Sequence, residues 1–99
     1  MTTHMFRLYI TPGAADSRRA VRNLDTLCHE ELEGQYEIEI IDVSVQPALA
    51  EHDRILATPT LVRSAPEPVK RIIGDLSDRH KLRASLDLMA VSPKPIRVQ

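Results

Sequence analysis

The stretch RILATPTLV, Arg54 to Val62, places Thr58-Pro59-Thr60 between an apolar helical turn and an apolar strand. Proline lacks the amide hydrogen that a sheet ladder needs, so Pro59 belongs at the entry to a strand rather than within one. Upstream, Pro47 suits a first helical position, and PALAEHDRILA carries Leu49, Ala50, Ile55 and Leu56, which predicts a short helix. Downstream, TLV predicts a strand, SAPEP a turn, and VKRIIG a further strand paired antiparallel to it. Asp75 or Ser77 then caps a last helix with Leu76, Leu82, Leu86 and Met89 on its buried face and Ser85 near that face.

The first half of the chain is more regular. MFRLYIT alternates Phe6, Leu8 and Ile10 against Met5, Arg7 and Tyr9 before Pro12-Gly13, as a strand running into a loop does. From Asp16 or Ser17, either able to cap, apolar residues recur at Ala20/Val21, Leu24, Leu27/Cys28 and Leu32, and Gly34 suits the stop. That is one face of a helix of about four to five turns. YEIEIIDV sets Tyr36, Ile38 and Ile40 against Glu37 and Glu39, then turns apolar on both faces from Ile41 to Val43. Strand, helix and strand at this length make a right-handed βαβ unit with parallel strands. The whole order is βαβαββα, that of a thioredoxin-like α/β single domain over residues 1–90. The remaining VSPKPIRVQ, residues 91–99, has two prolines and no partner strand and reads as a mobile tail.

Composition bounds the function. Ninety-nine residues leave room for one core. A net charge of -1 argues against a general nucleic-acid or membrane-surface binder, and since ten of the thirteen basic residues are arginine, any basic site is a local patch. The lone Cys28 cannot form an internal disulfide. MTTHMFRLYI lacks the pattern of a signal peptide, and no segment approaches the ~20 apolar residues of a membrane helix. The expected location is cytoplasmic.

Catalytic sets are not assembled. Thioredoxin-like redox chemistry needs a thiolate at the first helix N-terminus, yet TPGAADSRRA contains no cysteine and Cys28 falls on the apolar face further along. Cys28 therefore reads as a small buried hydrophobe. His4, His29, His52 and His80 lack metal-ligand spacing and read as surface residues. GDLSD, Gly74 to Asp78, lacks the Gly-Lys-Ser/Thr of a phosphate loop, and its Asp75 and Asp78 read as a capping box. The domain is expected to be non-catalytic, with no cofactor and no metal. What stands out is arginine: Arg18, Arg19 and Arg22 on the first helix, Arg54 before the proline, and Arg63, Lys70 and Arg71 around the hairpin. If these converge, they could grip an acidic protein surface through bidentate pairs. Arg19, Arg54, Arg63 and Arg71 are the candidate partner-binding residues.

LYITPGAADSRRAVRNL, GQYEIEIIDV, PALAEHDRILATPTLV and PEPVKRIIGDLSDRHKLRASLDL together resemble the KaiB family, from about Leu8 to Leu88. ILATPTL followed some ten residues later by RIIGDLSDR is a specific pairing. The resemblance implies a small regulator, in timing or stress control, that binds the N-terminal ATPase ring of a KaiC-type protein and, in cyanobacteria, then sequesters KaiA. It also implies a second, fold-switched form in which the latter half of the chain rearranges into a homo-oligomer, a tetramer or dimer. Pro59, Pro66, Pro68, Ser85 and Asp87 fall where the two forms diverge and are the expected fold-switch positions. The X-Pro bond at Pro59, whose like in thioredoxin-like domains is usually cis and lies beside a dithiol, is expected to help define and slow that passage.

Three departures from the cyanobacterial pattern follow. Glu37 and Glu39 reverse the charge of the second strand, which argues against KaiA binding. Pro12-Gly13 stands in the first loop where relatives carry Ala-Gly, and SPKPIRVQ replaces an acidic tail. Ser85 stands where clock relatives often have glycine, and since glycine costs a helix interior about 0.8 to 1 kcal/mol relative to alanine, serine favours the helical, thioredoxin-like form. The changes at Glu37 and Glu39, in the first loop and in the tail resemble the branch found beside a KaiC-like ATPase in bacteria without KaiA. Two alternatives stay open: a sensor or input domain of a histidine kinase, which a chain ending at Gln99 disfavours, and a degenerate thiol or glutathione-binding protein, which requires an exposed Cys28.

Overall fold

The computed structural model describes residues 3–86 and residue 88, so Asp87, Met89 and the 91–99 tail lie outside the described residues. Seven elements follow in the order β1 (His4–Ile10), α1 (Ala15–Glu31), β2 (Tyr36–Asp42), α2 (Pro47–His52), β3 (Thr60–Ala65), β4 (Lys70–Ile73) and α3 (Arg79–Ser85). The strands form one sheet ordered β2-β1-β3-β4. β1 is parallel to β2, and β3 is antiparallel to both β1 and β4. This is the thioredoxin-like βαβαββα arrangement that the apolar periods predict.

Each face of the sheet has its own cover. Phe6 and Leu8 of β1 and Leu61 of β3 join Ala20, Leu24, Leu27, Cys28 and Leu32 of the α1 region and Leu82 and Leu86 of the α3 region in the main core. At about 25 cal/mol per Å² of apolar surface removed from water, burial of this kind is the dominant stabilising term. The other face holds a smaller cluster, Tyr9, Ile41 and Val62, covered by Leu49 and Ala50 of α2 and by Val43 and Ile55. β1 is therefore buried on both sides at Leu8 and Tyr9, each fully enclosed. β2 lies at a sheet edge, which leaves Ile40 42% exposed although it shares a face with Ile38.

Several boundaries differ from expectation for identifiable reasons. α1 begins at Ala15 with Ala14 at its N-cap and no capping side chain. Asp16 and Ser17 lie inside the first turn, and the buried Ser17 Oγ instead accepts a hydrogen bond from the Thr11 amide at 3.1 Å. α2 stops at His52, and Arg54 turns the chain with a φ of 56°, so Ile55 packs from a loop while Leu56 is 95% exposed. β3 runs to Ala65 and takes in two residues expected in the turn. α3 is capped by Asp78, not by Asp75 or Ser77: the Asp78 carboxylate accepts the Lys81 amide at 3.0 Å. Leu76 precedes that helix at a φ of 63° and is nevertheless buried. Ser85 is the last residue of α3 rather than an interior one, so the propensity argument for serine over glycine applies to a helix end, where it is weaker.

Candidate functional site

The loops leaving β1, entering β3 and leaving β4 meet at one end of the sheet. Gly13 turns the first of them with a φ of 84°, a conformation open to glycine, and the turn is closed by the Ala14 amide donating to the Thr11 carbonyl at 3.2 Å. Arg18 Nη1 donates to the Gly13 carbonyl at 2.9 Å. The Thr11 and Thr58 hydroxyls lie 2.6 Å apart, tying the first loop to the second. Thr58-Pro59 is cis, as are Ala65-Pro66 and Glu67-Pro68. Pro59 is buried, and its carbonyl accepts the Gly74 amide at 3.0 Å, which brings in the third loop. Asp75 in that loop pairs with Arg19 at 2.9 Å and offers its carbonyl to Asn23 Nδ2 at 2.8 Å. Hydrogen bonds from Arg19 and then Ser77 hold the Asp75 carboxyl below its ordinary pKa.

Beside this cluster runs a groove of about 590 Å³ between α1 and β2. Ile10, Val21, Ile38 and Ile40 line it, with Arg18, Arg22 and Asp25 along the helical wall.

No thiol reaches either feature. Cys28 is fully buried in the main core, and burial, followed by the nearby charge of Asp25, pushes its pKa up to about 12. A thiol in that state is not a nucleophile near neutral pH. The histidines divide: His29, His52 and His80 are exposed, while His4 is half-buried with its ring stacked near Phe6. Burial, with a smaller contribution from the Arg63 charge, lowers the His4 pKa. Among the described residues no group of three His, Cys, Asp or Glu side chains is placed to hold a metal ion.

The candidate arginines do not form one patch. Arg19 lies on α1 with Arg18 and Arg22, paired to Asp75. Arg71 faces the other side of the sheet, in register with Val62, and Arg54 follows α2 on that same side; both are exposed. Arg63 corrects the expectation outright. It is 2% exposed, and its guanidinium donates to the Leu86 carbonyl at 2.8 Å and to the Pro68 carbonyl at 2.8 Å. β3 alternation puts it on the face of Leu61, opposite Phe6, where its guanidinium is enclosed instead of exposed.

A second polar cluster carried no sequence signal. Arg7 Nη1 lies 3.0 Å from Asp53 Oδ2, and the Tyr9 hydroxyl donates to that same oxygen. Burial alone raises the Asp53 pKa, but hydrogen bonds from Tyr9 and Arg7 outweigh it and the net shift is downward. Burial, then the bond to Asp53, pushes Tyr9 up to about 12. The cluster pins the end of α2 to β1 and is structural.

A family model described as the KaiB domain matches residues 7–88. The chain is 47% identical over 87 residues to the circadian clock oscillator protein KaiB of Gloeothece citriformis, covering 88% of this chain and 82% of that one. It is 48% identical over 87 residues to that of Prochlorococcus marinus subsp. pastoris, covering 88% and 81%. Among solved structures, the N-terminal domain of Synechococcus elongatus SasA is similar with a TM-score of 0.72 and 25% identity, covering 98% of this chain and 91% of that domain. Chloroplastic thioredoxin z, at a TM-score of 0.72 and 23% identity over 89% of this chain and 80% of its own, shows the same fold.

Proposed function

The chain belongs to the KaiB family, whose matched relatives are circadian clock oscillator proteins, and on that premise we propose that it is a non-catalytic regulator that binds a KaiC-type RecA-fold ATPase. The observation that carries this reading is the content of the loop cluster. Where a thioredoxin-like domain keeps its reactive thiols, this one has two mutually bonded threonine hydroxyls and flanking arginines. Such a surface can bind and orient an acidic partner but has no group to attack one. Of the candidate residues, Arg54 and Arg71 are exposed, and Arg19 is exposed but paired to Asp75, a bond that contact with a partner through Arg19 would have to exchange.

Fold switching belongs to the same proposal. In it, Pro59, Pro66, Pro68, Ser85 and Asp87 mark the segment that rearranges, the thioredoxin-like form binds, and the other form is stored as a homo-oligomer. KaiA is not among the proposed partners. The degenerate-thiol alternative loses its support with Cys28 enclosed.

Size-exclusion chromatography with the KaiC-type ATPase of the same organism tests the reading. Wild type is expected to co-elute with the ATPase ring, and Arg54→Glu to co-elute less at equal concentration. A wild-type chain that never shifts to the ring fractions removes the proposal.

A further inference from the structure

The α1 residues buried most completely, Ala20, Leu24 and Leu27, pack with Phe6 and Leu8 of β1 and Leu61 of β3. The cover thins toward β2, where Ile38 is only partly buried and Ile40 is 42% exposed. β2 is an edge strand, so no neighbouring strand continues the sheet beneath the outer flank of α1. The groove of about 590 Å³ occupies that strip. Its size falls within the roughly 300–1,000 Å³ of sites that take small molecules.

Charge is placed unevenly along it. Arg18, Val21, Arg22 and Asp25 follow one another at helical spacing and share one stripe of α1, facing Ile10, Ile38 and Ile40. In a βαβ unit the helix runs against the direction of both strands. Arg18 and Arg22 therefore stand toward the end of β1 at Ile10, and Asp25 toward Ile38. Arg18 uses one N–H on the Gly13 carbonyl, and Arg22 has neither a hydrogen bond nor an ion pair among the described residues. Both guanidiniums keep donors for an anion, and their planar fork matches a carboxylate. Glu37 and Glu39 alternate onto the opposite face with Ile41, which leaves Asp25 as the one acid lining the groove among the described residues.

The lining also selects what lies behind the anionic group. Its apolar part is aliphatic, with no aromatic side chain on which a nucleobase or another planar ring could stack. A trough open along one side receives a single chain lengthwise. A bilayer surface is a poorer match, because the whole chain carries a net charge of -1.

We propose that the groove between α1 and β2 binds a free single-chain aliphatic acid, its carboxylate held by Arg18 and Arg22 and its chain lying along Ile10, Ile40 and Ile38. The carboxylate sits at the Arg18 end, where it gains two cationic partners and keeps its distance from Asp25. The chain covers the part of Ile40 that the fold leaves in water. This site is independent of the ATPase reading, and its assay contains no ATPase.

Titrating dodecanoate, below its micelle concentration, into the isotope-labelled full chain and following amide shifts tests the proposal. Saturable shifts are expected at Arg18–Asp25 and Ile38–Ile40, while the α2 amides stay in place. Dodecanol, which has the chain without the charge, binds at least about tenfold more weakly, the loss expected when a charge-assisted bond is removed. That arm needs no variant to fold. Arg22→Glu and Ile40→Ser, each established as folded by circular dichroism, also weaken dodecanoate binding, the first at least about tenfold. Phosphatidylglycerol vesicles are expected to leave the chain in the supernatant on sedimentation. Absence of saturable shifts, shifts centred on α2, dodecanol binding as tightly as dodecanoate, either variant binding as wild type does, or sedimentation of the chain with the vesicles each overturns the proposal.

Discussion

Arg63 Nη1 donates to the carbonyl oxygen of Leu86 at 2.8 Å, binding β3 to the end of α3 across 23 residues of sequence. A second bond of 2.8 Å from Nη2 to the Pro68 carbonyl makes one buried guanidinium the joint between the β3–β4 turn and the last helix. Arg63→Met keeps the apolar volume but leaves both carbonyls without that donor. An unmet buried acceptor costs about 1–3 kcal/mol, so the variant is expected to lose about 3 kcal/mol. Arg63→Lys loses less but does not recover fully, because an ammonium lacks the planar fork that spans two acceptors. Urea denaturation checks both through a lower midpoint at unchanged slope.

The Arg7–Asp53–Tyr9 cluster makes stability depend on pH at both extremes. The Asp53 carboxyl is depressed from 3.8, so its contribution is present above the unfolded value and is lost as pH falls through the lower folded one. Tyr9 is raised from 10.0 to about 12; its contribution is full below pH 10 and is lost as pH rises from there to about 12. Asp53→Asn is expected to cost about 2 kcal/mol at neutral pH and to flatten part of the acid limb. Asp42 and Asp75, also depressed by their hydrogen bonds, keep the rest. Tyr9→Phe flattens part of the alkaline limb, to which Cys28, raised from 9.0 to about 12, also contributes. Unfolding free energies measured against pH for the three proteins check the assignment.

Cys28 is expected to react with a thiol-specific disulfide reagent only as fast as the chain opens. It is fully enclosed and its thiolate is disfavoured. Labelling in native buffer that runs at the rate of a free thiol would contradict the core placement and reopen the thiol-based alternative.

Asp78→Ala removes the side-chain cap of a seven-residue helix. A lost cap costs about 1 kcal/mol, and amide exchange at the start of α3 is expected to rise. Leu82, buried in the core, limits the fraying to that turn. Equal protection of the Arg79–Lys81 amides in wild type and variant would deny the cap its role.

What could be read in advance follows from which interactions are local. Phe6/Leu8 alternation and the Ala20, Leu24, Leu27 spacing state which surfaces must be buried, and a strand, helix and strand of this length imply that the first two strands are parallel. Arg63 was legible too, since period two from Leu61 points it inward, but its residue type suggested the surface. The start of α3 was not legible. Asp75, Ser77 and Asp78 can all cap, and the choice is made by Arg19 and Asn23, over fifty residues away, which hold Asp75 in the preceding loop. Asp53 is likewise an ordinary surface type in sequence, and only folding sets it beside Tyr9 and Arg7. Arginine placement failed for the same reason: spacing along the chain does not say which side of a sheet a loop returns to.

Binding of a KaiC-type ATPase by a thioredoxin-like form of this chain is the proposal on which the partner-binding roles of the arginines depend. Backbone carbon chemical shifts of the isotope-labelled chain, free and in complex with the ATPase's N-terminal domain, test it most directly. The expected complex is one in which Lys70–Ile73 carry strand shifts and Arg79–Ser85 helical ones. A complex with helical shifts over Lys70–Ile73, or spectra unchanged by any excess of the domain, would contradict it.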